Sequence, residues 1–284
     1  MSFNTYWYLG LAVFSSLLLI FICSQRGIVD SLLQFLIMAE CAYLIEAVIY
    51  IFLGSYLYHP KIINYNAYYD SHMGALTSNL FVIPGLAALI ATFDLGIIWI
   101  LLIIGVLAMI EFLFIKLNIY TQIWWKISYT SAGLLLYFPL TKIVYKQILH
   151  PLRGFKHSLF LFLCIGPIIG TLHFLPVILF SSRTYSVGWY KDISYDTSAF
   201  GVLFYICSTV LQVLMVKISW KRKWIKYILV TLILAVANIL LKEAGILHSQ
   251  IWWDLWFYCL FPALVLRITE SISNRLSNGA EPER

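Results

Sequence analysis

The feature that most constrains this chain is the recurrence, along its whole length, of apolar runs that approach or reach twenty residues. One of them, "IIWILLIIGVLAMIEFLFI" (97–115), carries a single charged side chain, Glu111. A helix needs roughly 20 apolar residues to cross a ~30 Å hydrocarbon core. Nine segments meet that description closely enough to be read as spans, near 6–23, 31–55, 76–93, 95–115, 124–145, 158–180, 198–217, 225–241 and 251–267. Composition agrees, with 62% apolar and 11% charged residues. The expected fold class is therefore all-α, a polytopic integral membrane protein. Its start, "MSFNTYWYLG", lacks the basic stretch and small-x-small site of a cleavable signal and reads as the first membrane helix. The five cysteines are scattered inside apolar runs and read as small hydrophobes, not as a disulfide or metal set.

The net charge of +6 is informative by location. Arg26, the group Lys142–Lys156, the group Lys217–Lys226 and the arginines after the last span all fall on one side of a nine-span topology. By the positive-inside rule that side is cytoplasmic, which puts the N-terminus outside. The basic segment "KQILHPLRGFKH" and its neighbours are expected to meet anionic lipid head groups. The bilayer is the expected partner; nucleic acid is not, and a protein partner is left open.

Self-similarity adds a plan. "TQIWWK" (121–126) and "SQIWWD" (249–254) share Gln-Ile-Trp-Trp at an offset of 128. "YDSHMG" (69–74) and "YDTSAFG" (195–201) recur at nearly the same offset. The expected organisation is a leading helix (1–30), a four-helix unit (31–145), a basic linker (146–157), a second four-helix unit (158–267) and a polar, frayed tail (268–284). Four helices per unit give a parallel repeat about an axis along the membrane normal.

Charged residues inside the spans carry the functional reading, because an ionised carboxylate near the bilayer centre costs roughly 2.5–3.5 kcal/mol on insertion scales. "MAECAYLIEAVIY" (38–50) holds two, Glu40 and Glu46. At about 100° per residue they point some 120° apart, so they are not a paired-carboxylate site, and Glu46 shares its helical face with Tyr43 and Tyr50. Glu111 is expected near Lys126 at the outer end of its span, as an ion pair. Under the repeat, Glu46 corresponds to His173 and Glu111 to the neighbourhood of Asn238. Pro167, Pro176 and nearby glycines predict a kinked or unwound helix around His173. Outside the membrane, Asp70 and Asp196 form a candidate polar pair; each also reads as the cap of the helix that follows it.

No GxSxG, HExxH, P-loop or GxGxxG motif is present, and no catalytic residue, cofactor or metal is assigned. The reading is a small-solute or ion transporter with a polar site between two repeat halves, proton-coupled through Glu46. Its rival is a non-catalytic sensor, scaffold or assembly partner whose buried polar groups fix packing. A membrane enzyme acting on lipid or isoprenoid comes third. "YYDSHMGALTSN" together with "IEFLFIKLNIYTQIWWKISYT" resembles a family of small polytopic membrane proteins of endospore-forming Firmicutes. The resemblance covers Tyr68–Lys146 and implies a bacterial plasma-membrane protein tied to sporulation or the envelope, with no chemistry attached.

Overall fold

The structure, a computed structural model, describes residues 2–279. It is helical apart from four three-residue strands, and the chain divides between His150 and Pro151 into two compact units.

The first unit opens with α1 (Phe3–Arg26), whose first turn is capped by the Ser2 hydroxyl accepting from the Thr5 amide. Gly27 then turns the chain at φ 88°, where a side chain would be strained, and α2 (Ile28–Glu46) begins. Immediately after Glu46 the helix widens into a π-helical turn, Ala47–Phe52, and the short strand β1 (Tyr56–Tyr58) follows. Asn66 caps α3 (Ala67–Leu76), which runs through a second π-helical turn, Thr77–Val82, into α4 (Ile83–Thr92). Pro84 stands in the first turn of α4 and has no N–H to return to the preceding turn, which favours a local change of pitch there. Helix α5 (Ile97–Lys116), strand β2 (Tyr120–Gln122) and helix α6 (Ile127–Ile148) complete the unit. β1 and β2 pair antiparallel, with Tyr56 opposite Gln122 and Tyr58 opposite Tyr120.

Gln34 of α2 donates to the Thr141 carbonyl of α6 (3.0 Å) and to its hydroxyl. That hydroxyl in turn donates to the Ala87 carbonyl of α4 (3.1 Å). Hydrogen bonds of this kind are what hold helices together where lipid removes the hydrophobic drive between them. Beside them, Ile22, Phe35 and Ala88 join α1, α2 and α4 in an apolar cluster.

The second unit contains α7 (Gly154–Phe180), β3 (Arg183–Tyr185), α8 (Ile193–Lys217), α9 (Ile225–Glu243), β4 (Leu247–Ser249) and α10 (Asp254–Asn278). β3 and β4 pair antiparallel, Arg183 opposite Ser249 and Tyr185 opposite Leu247. Met215, Val230, Leu234 and Leu266 form an apolar cluster among α8, α9 and α10. The unwinding expected around His173 is absent: α7 is one helix with Pro167 and Pro176 inside it. Membrane helices tolerate an internal proline where neighbouring groups re-satisfy the freed backbone. The interruptions of helical pitch fall instead in the first unit, at the two π-helical turns. The tail expected to fray after Arg267 is helical to Asn278, and only its last residues lie outside those described.

Among the described residues, eight helices are long and apolar enough to cross a membrane, and this marks the chain as a multi-pass membrane protein. They are α1, α2 with its π turn, the α3–α4 rod, α5, α7, α8, α9 and α10. The 22-residue α6 falls outside that group because it carries Ser128, Thr130, Ser131, Lys142 and Lys146 along its length. Large apolar side chains face outward, such as Ile98 (70% exposed), Leu136 (78%) and Leu264 (74%). In water such faces would be an aggregation liability; against lipid tails they cost nothing. All five cysteines are free.

Candidate functional site

In the first unit a cavity of about 230 Å³ opens among α1, α2, α3 with its π turn, α5, α6 and the β1–β2 ribbon. The ribbon supplies its aromatic wall. Alternation along a strand puts Tyr56 and Tyr58 on one face and Leu57 on the other. Tyr120, opposite Tyr58 in the register, closes against both, with ring centroids 5.3 and 5.0 Å away. Tyr8, Phe114 and Trp125 extend the wall.

Two carboxylates line this space, Glu46 and Glu111, and no lysine, arginine or histidine does. Glu46 is 8% exposed, buried enough that every unsatisfied oxygen matters. Its Oε2 accepts from the Tyr56 phenol, Asn79 flanks the same group, and Oε1 has no hydrogen-bond partner. Burial first, and then the neighbouring Glu46, push the Tyr56 phenol well above its ordinary range, so Tyr56 keeps its proton and acts as the donor. Glu111 Oε1 accepts from Gln122 Nε2 (3.0 Å) and from the Thr130 hydroxyl (3.3 Å), which itself receives the Trp125 indole N–H (2.8 Å).

The π-helical turns explain how this site is assembled. A π turn advances five residues per hydrogen bond where an α turn advances four, so the face carrying Glu46 is not continued by the residue at i+4. Tyr50 leaves the cavity and stacks behind Tyr56, donating or accepting at His72 Nδ1 (3.2 Å). Tyr43 is half-buried and does not line the cavity. The expectation that Glu46, Tyr43 and Tyr50 share a face assumes a regular α-helix and fails for that reason. The second π turn brings Ser78 and Asn79 to the cavity wall. Glu40 is fully buried in α2 and away from the cavity. The expected Glu111–Lys126 ion pair does not form among the described residues, because Gln122 and Thr130 take up the carboxylate and Lys126 is exposed.

The polar residues of the second unit are arranged differently. Arg183 of β3 is fully buried and bidentate to Asp254 of α10, with Nε–Oδ1 and Nη2–Oδ2 both 2.9 Å. Its Nη1 donates to the Tyr185 phenol (2.9 Å) and to Asn238 Oδ1 (3.0 Å), and its guanidinium lies 3.3 Å over the Tyr258 ring. His173 is buried among Tyr185, Phe204 and Tyr258. All three guanidinium nitrogens are matched, and the arginine and aspartate charges cancel within the cluster.

Asp70 and Asp196 each sit one turn inside their helix and bind the loop before it. Asp70 accepts from the amides of Lys61, Ile62 and Ile63, and Asp196 from those of Val187, Gly188, Trp189 and Tyr190. The caps proper are Asn66 and Asp192, so the capping expectation was displaced by one turn. Asp192 and Asp196 are thereby both committed to backbone amides.

Sequence reasoning missed Tyr56, Tyr58, Tyr120, Arg183 and Asp254. Arg183 reads as one more loop charge until its strand register is known. No protein-family model, no curated protein and no solved structure matches the chain.

Proposed function

We propose that this multi-pass protein is a small-solute transporter whose binding site lies inside the first unit, around Glu46, in place of a site between two halves. The observation that carries the reading is a buried carboxylate, one oxygen of which has no hydrogen-bond partner, among the residues lining a 230 Å³ cavity walled by aromatic rings. Two π-helical turns at the cavity wall are consistent with it, since such turns concentrate at functional sites.

The duplication belongs to the same proposal. Tyr56 and Arg183, Tyr58 and Tyr185, Tyr120 and Leu247, and Gln122 and Ser249 are each 127 residues apart, and the two strand pairs share one register. Asp70 and Asp196 make equivalent loop closures, and Ser71 and Thr197 equivalent bonds to the amides of Tyr58 and Tyr185. The nine-span count takes α6 as the further crossing, since 22 residues at ~1.5 Å reach across a ~30 Å core. With nine spans, all four strands and the sparse basic residues face outside. The C-terminus and the basic loops face the cytoplasm of a bacterial plasma membrane, against anionic head groups. The sporulation or envelope setting rests on the resemblance alone.

A second reading, that of a scaffold or sensor, draws on the charge-balanced Arg183–Asp254 cluster, which is built to fix packing. Thiol accessibility separates the two. Single cysteines at Ile49 and Gly133, in a cysteine-free background, should react with membrane-impermeant reagents from outside and, in part of the population, from inside. A folded protein labelled from neither side would remove the transport reading.

A further inference from the structure

We infer that the ligand of the first-unit cavity is an organic cation with an apolar tail, a guanidinium or substituted ammonium compound. This rests on the proposed binding site and on the proposed duplication. The argument comes from what the second unit does with the same positions.

At the positions of Thr77, Ser78, Thr130 and Gly133, all on the cavity wall, the second unit carries Phe204, Tyr205, Tyr258 and Phe261. These offsets are 127 for the first pair of positions and 128 after the Gln-Ile-Trp-Trp match. Four small side chains are thus replaced by four rings, of which Tyr205, Tyr258 and Phe261 are buried. At the position of Tyr56 the second unit carries Arg183, and at that of Glu111 it carries Asn238. The second unit therefore holds its own cation: a guanidinium stacked on an aromatic ring, bonded to Asn238 and Tyr185 and neutralised by Asp254.

The first unit lacks that cation and has the means to receive one. Where Asn238 meets the guanidinium, Glu111 offers a carboxylate; where His173 stands, Glu46 offers a second at the cavity wall, its Oε1 without a hydrogen-bond partner. Tyr58 keeps the phenol that Tyr185 presents to Arg183. The lining sums to two carboxylates, eight aromatic rings and no basic side chain. Aromatic faces and buried carboxylates together are what desolvated cations require, and anions or neutral polar solutes find no donor charge here. The apolar remainder of the wall, Leu11, Ile49, Val82 and Leu107 among it, suits an alkyl or aryl tail.

The test uses the full chain in lipid nanodiscs, titrated calorimetrically with hexylguanidinium, hexanol and hexanoate, with empty nanodiscs subtracted. Hexylguanidinium should bind at least tenfold more tightly than hexanol, and hexanoate should not bind. E46Q and E111Q should each weaken hexylguanidinium at least tenfold. Gly133→Phe, which imports the ring of the second unit, should abolish binding while the protein stays folded, because a Cβ at Gly133 meets no atom within 4 Å. Should E46Q not fold, E111Q and Gly133→Phe decide alone. Equal binding of hexanol and hexylguanidinium, or full affinity in E111Q, would overturn the cation inference and leave an apolar binding site. No binding of any probe, with Ile49 and Gly133 still open to thiol reagents, overturns the inference and spares the site. No thiol labelling at all sinks the site reading itself.

Discussion

The surroundings of Glu46 in the first unit and of Arg183 in the second solve one problem in opposite ways. Both bury ionisable groups beside a two-stranded ribbon and a set of tyrosines. The second unit supplies both charges of a pair and packs rings around them. The first supplies carboxylates only, satisfies them with neutral donors, leaves one oxygen over and keeps a cavity beside it. The difference teaches how a buried polar cluster can be read for function. A cluster that balances its own charge specifies packing, whereas one that is short of a partner and has room for it specifies a ligand.

The comparison breaks most readily at Asp254. Asp254→Asn strands a buried guanidinium, and losing one partner of a buried pair costs about 3–5 kcal/mol. The expected outcome is a collapse of folded yield and melting temperature, measured by fluorescence size exclusion after heating. Joint replacement of Arg183 and Asp254 by Met and Leu should recover most of the loss. A mild effect of Asp254→Asn would mean that the second unit is not held by this pair.

Next in size is Gly74→Ala. A Cβ there would stand 2.3 Å from Cβ of Tyr58, which anchors the ribbon, so backbone has to move; overpacking of this kind costs about 1–3 kcal/mol. At Gly201, 127 residues on, the nearest atoms are ring atoms of Phe174 at 3.1 Å, which can shift. Gly201→Ala should therefore lower the melting temperature less than Gly74→Ala. The reverse order would count against equivalent placement of the two glycines in their units.

Tyr56→Phe sharpens the functional side of the contrast. It removes the donor to Glu46 without opening space, for an expected loss of about 1 kcal/mol in stability. Hexylguanidinium affinity should rise or hold, since a second carboxylate oxygen is freed. A large fall in affinity would show that the phenol, not the carboxylate, makes the contact.

The smallest effect belongs to Asp94, whose exposed carboxylate pairs with Lys142 at 2.7 Å. The hydrogen bond from Lys142 holds this carboxyl below its ordinary range. Whatever the pair contributes is present at neutral pH and is lost on acidification through the lowered folded-state value. Screening by water leaves little to lose, so Asp94→Asn should leave the melting temperature at pH 7 unchanged. A clear drop would show that exposed pairs matter here as much as buried ones.

Much of the molecule was legible without coordinates. Run length and scarcity of charge determine the helical membrane class, since no other arrangement satisfies twenty consecutive peptide groups in hydrocarbon. Glu46 and Glu111 were also found from sequence, because a carboxylate in such a run is expensive wherever it points. The direction in which it points was not available. The π turn after Glu46 turns Tyr50 away from the cavity, and no residue type encodes a π turn as glycine encodes a positive φ. The prolines of α7 illustrate the converse: they predicted a kinked or unwound helix, and α7 runs through both as one helix. Arg183 and Asp254, 71 residues apart in sequence, become partners only through the register of β3 and the start of α10. Sequence by itself determined which groups are too costly to bury alone, because that cost is a property of each residue in lipid. The tertiary structure decided which of them found a partner and which kept a cavity, because pairing depends on distances between segments that one-dimensional spacing does not contain.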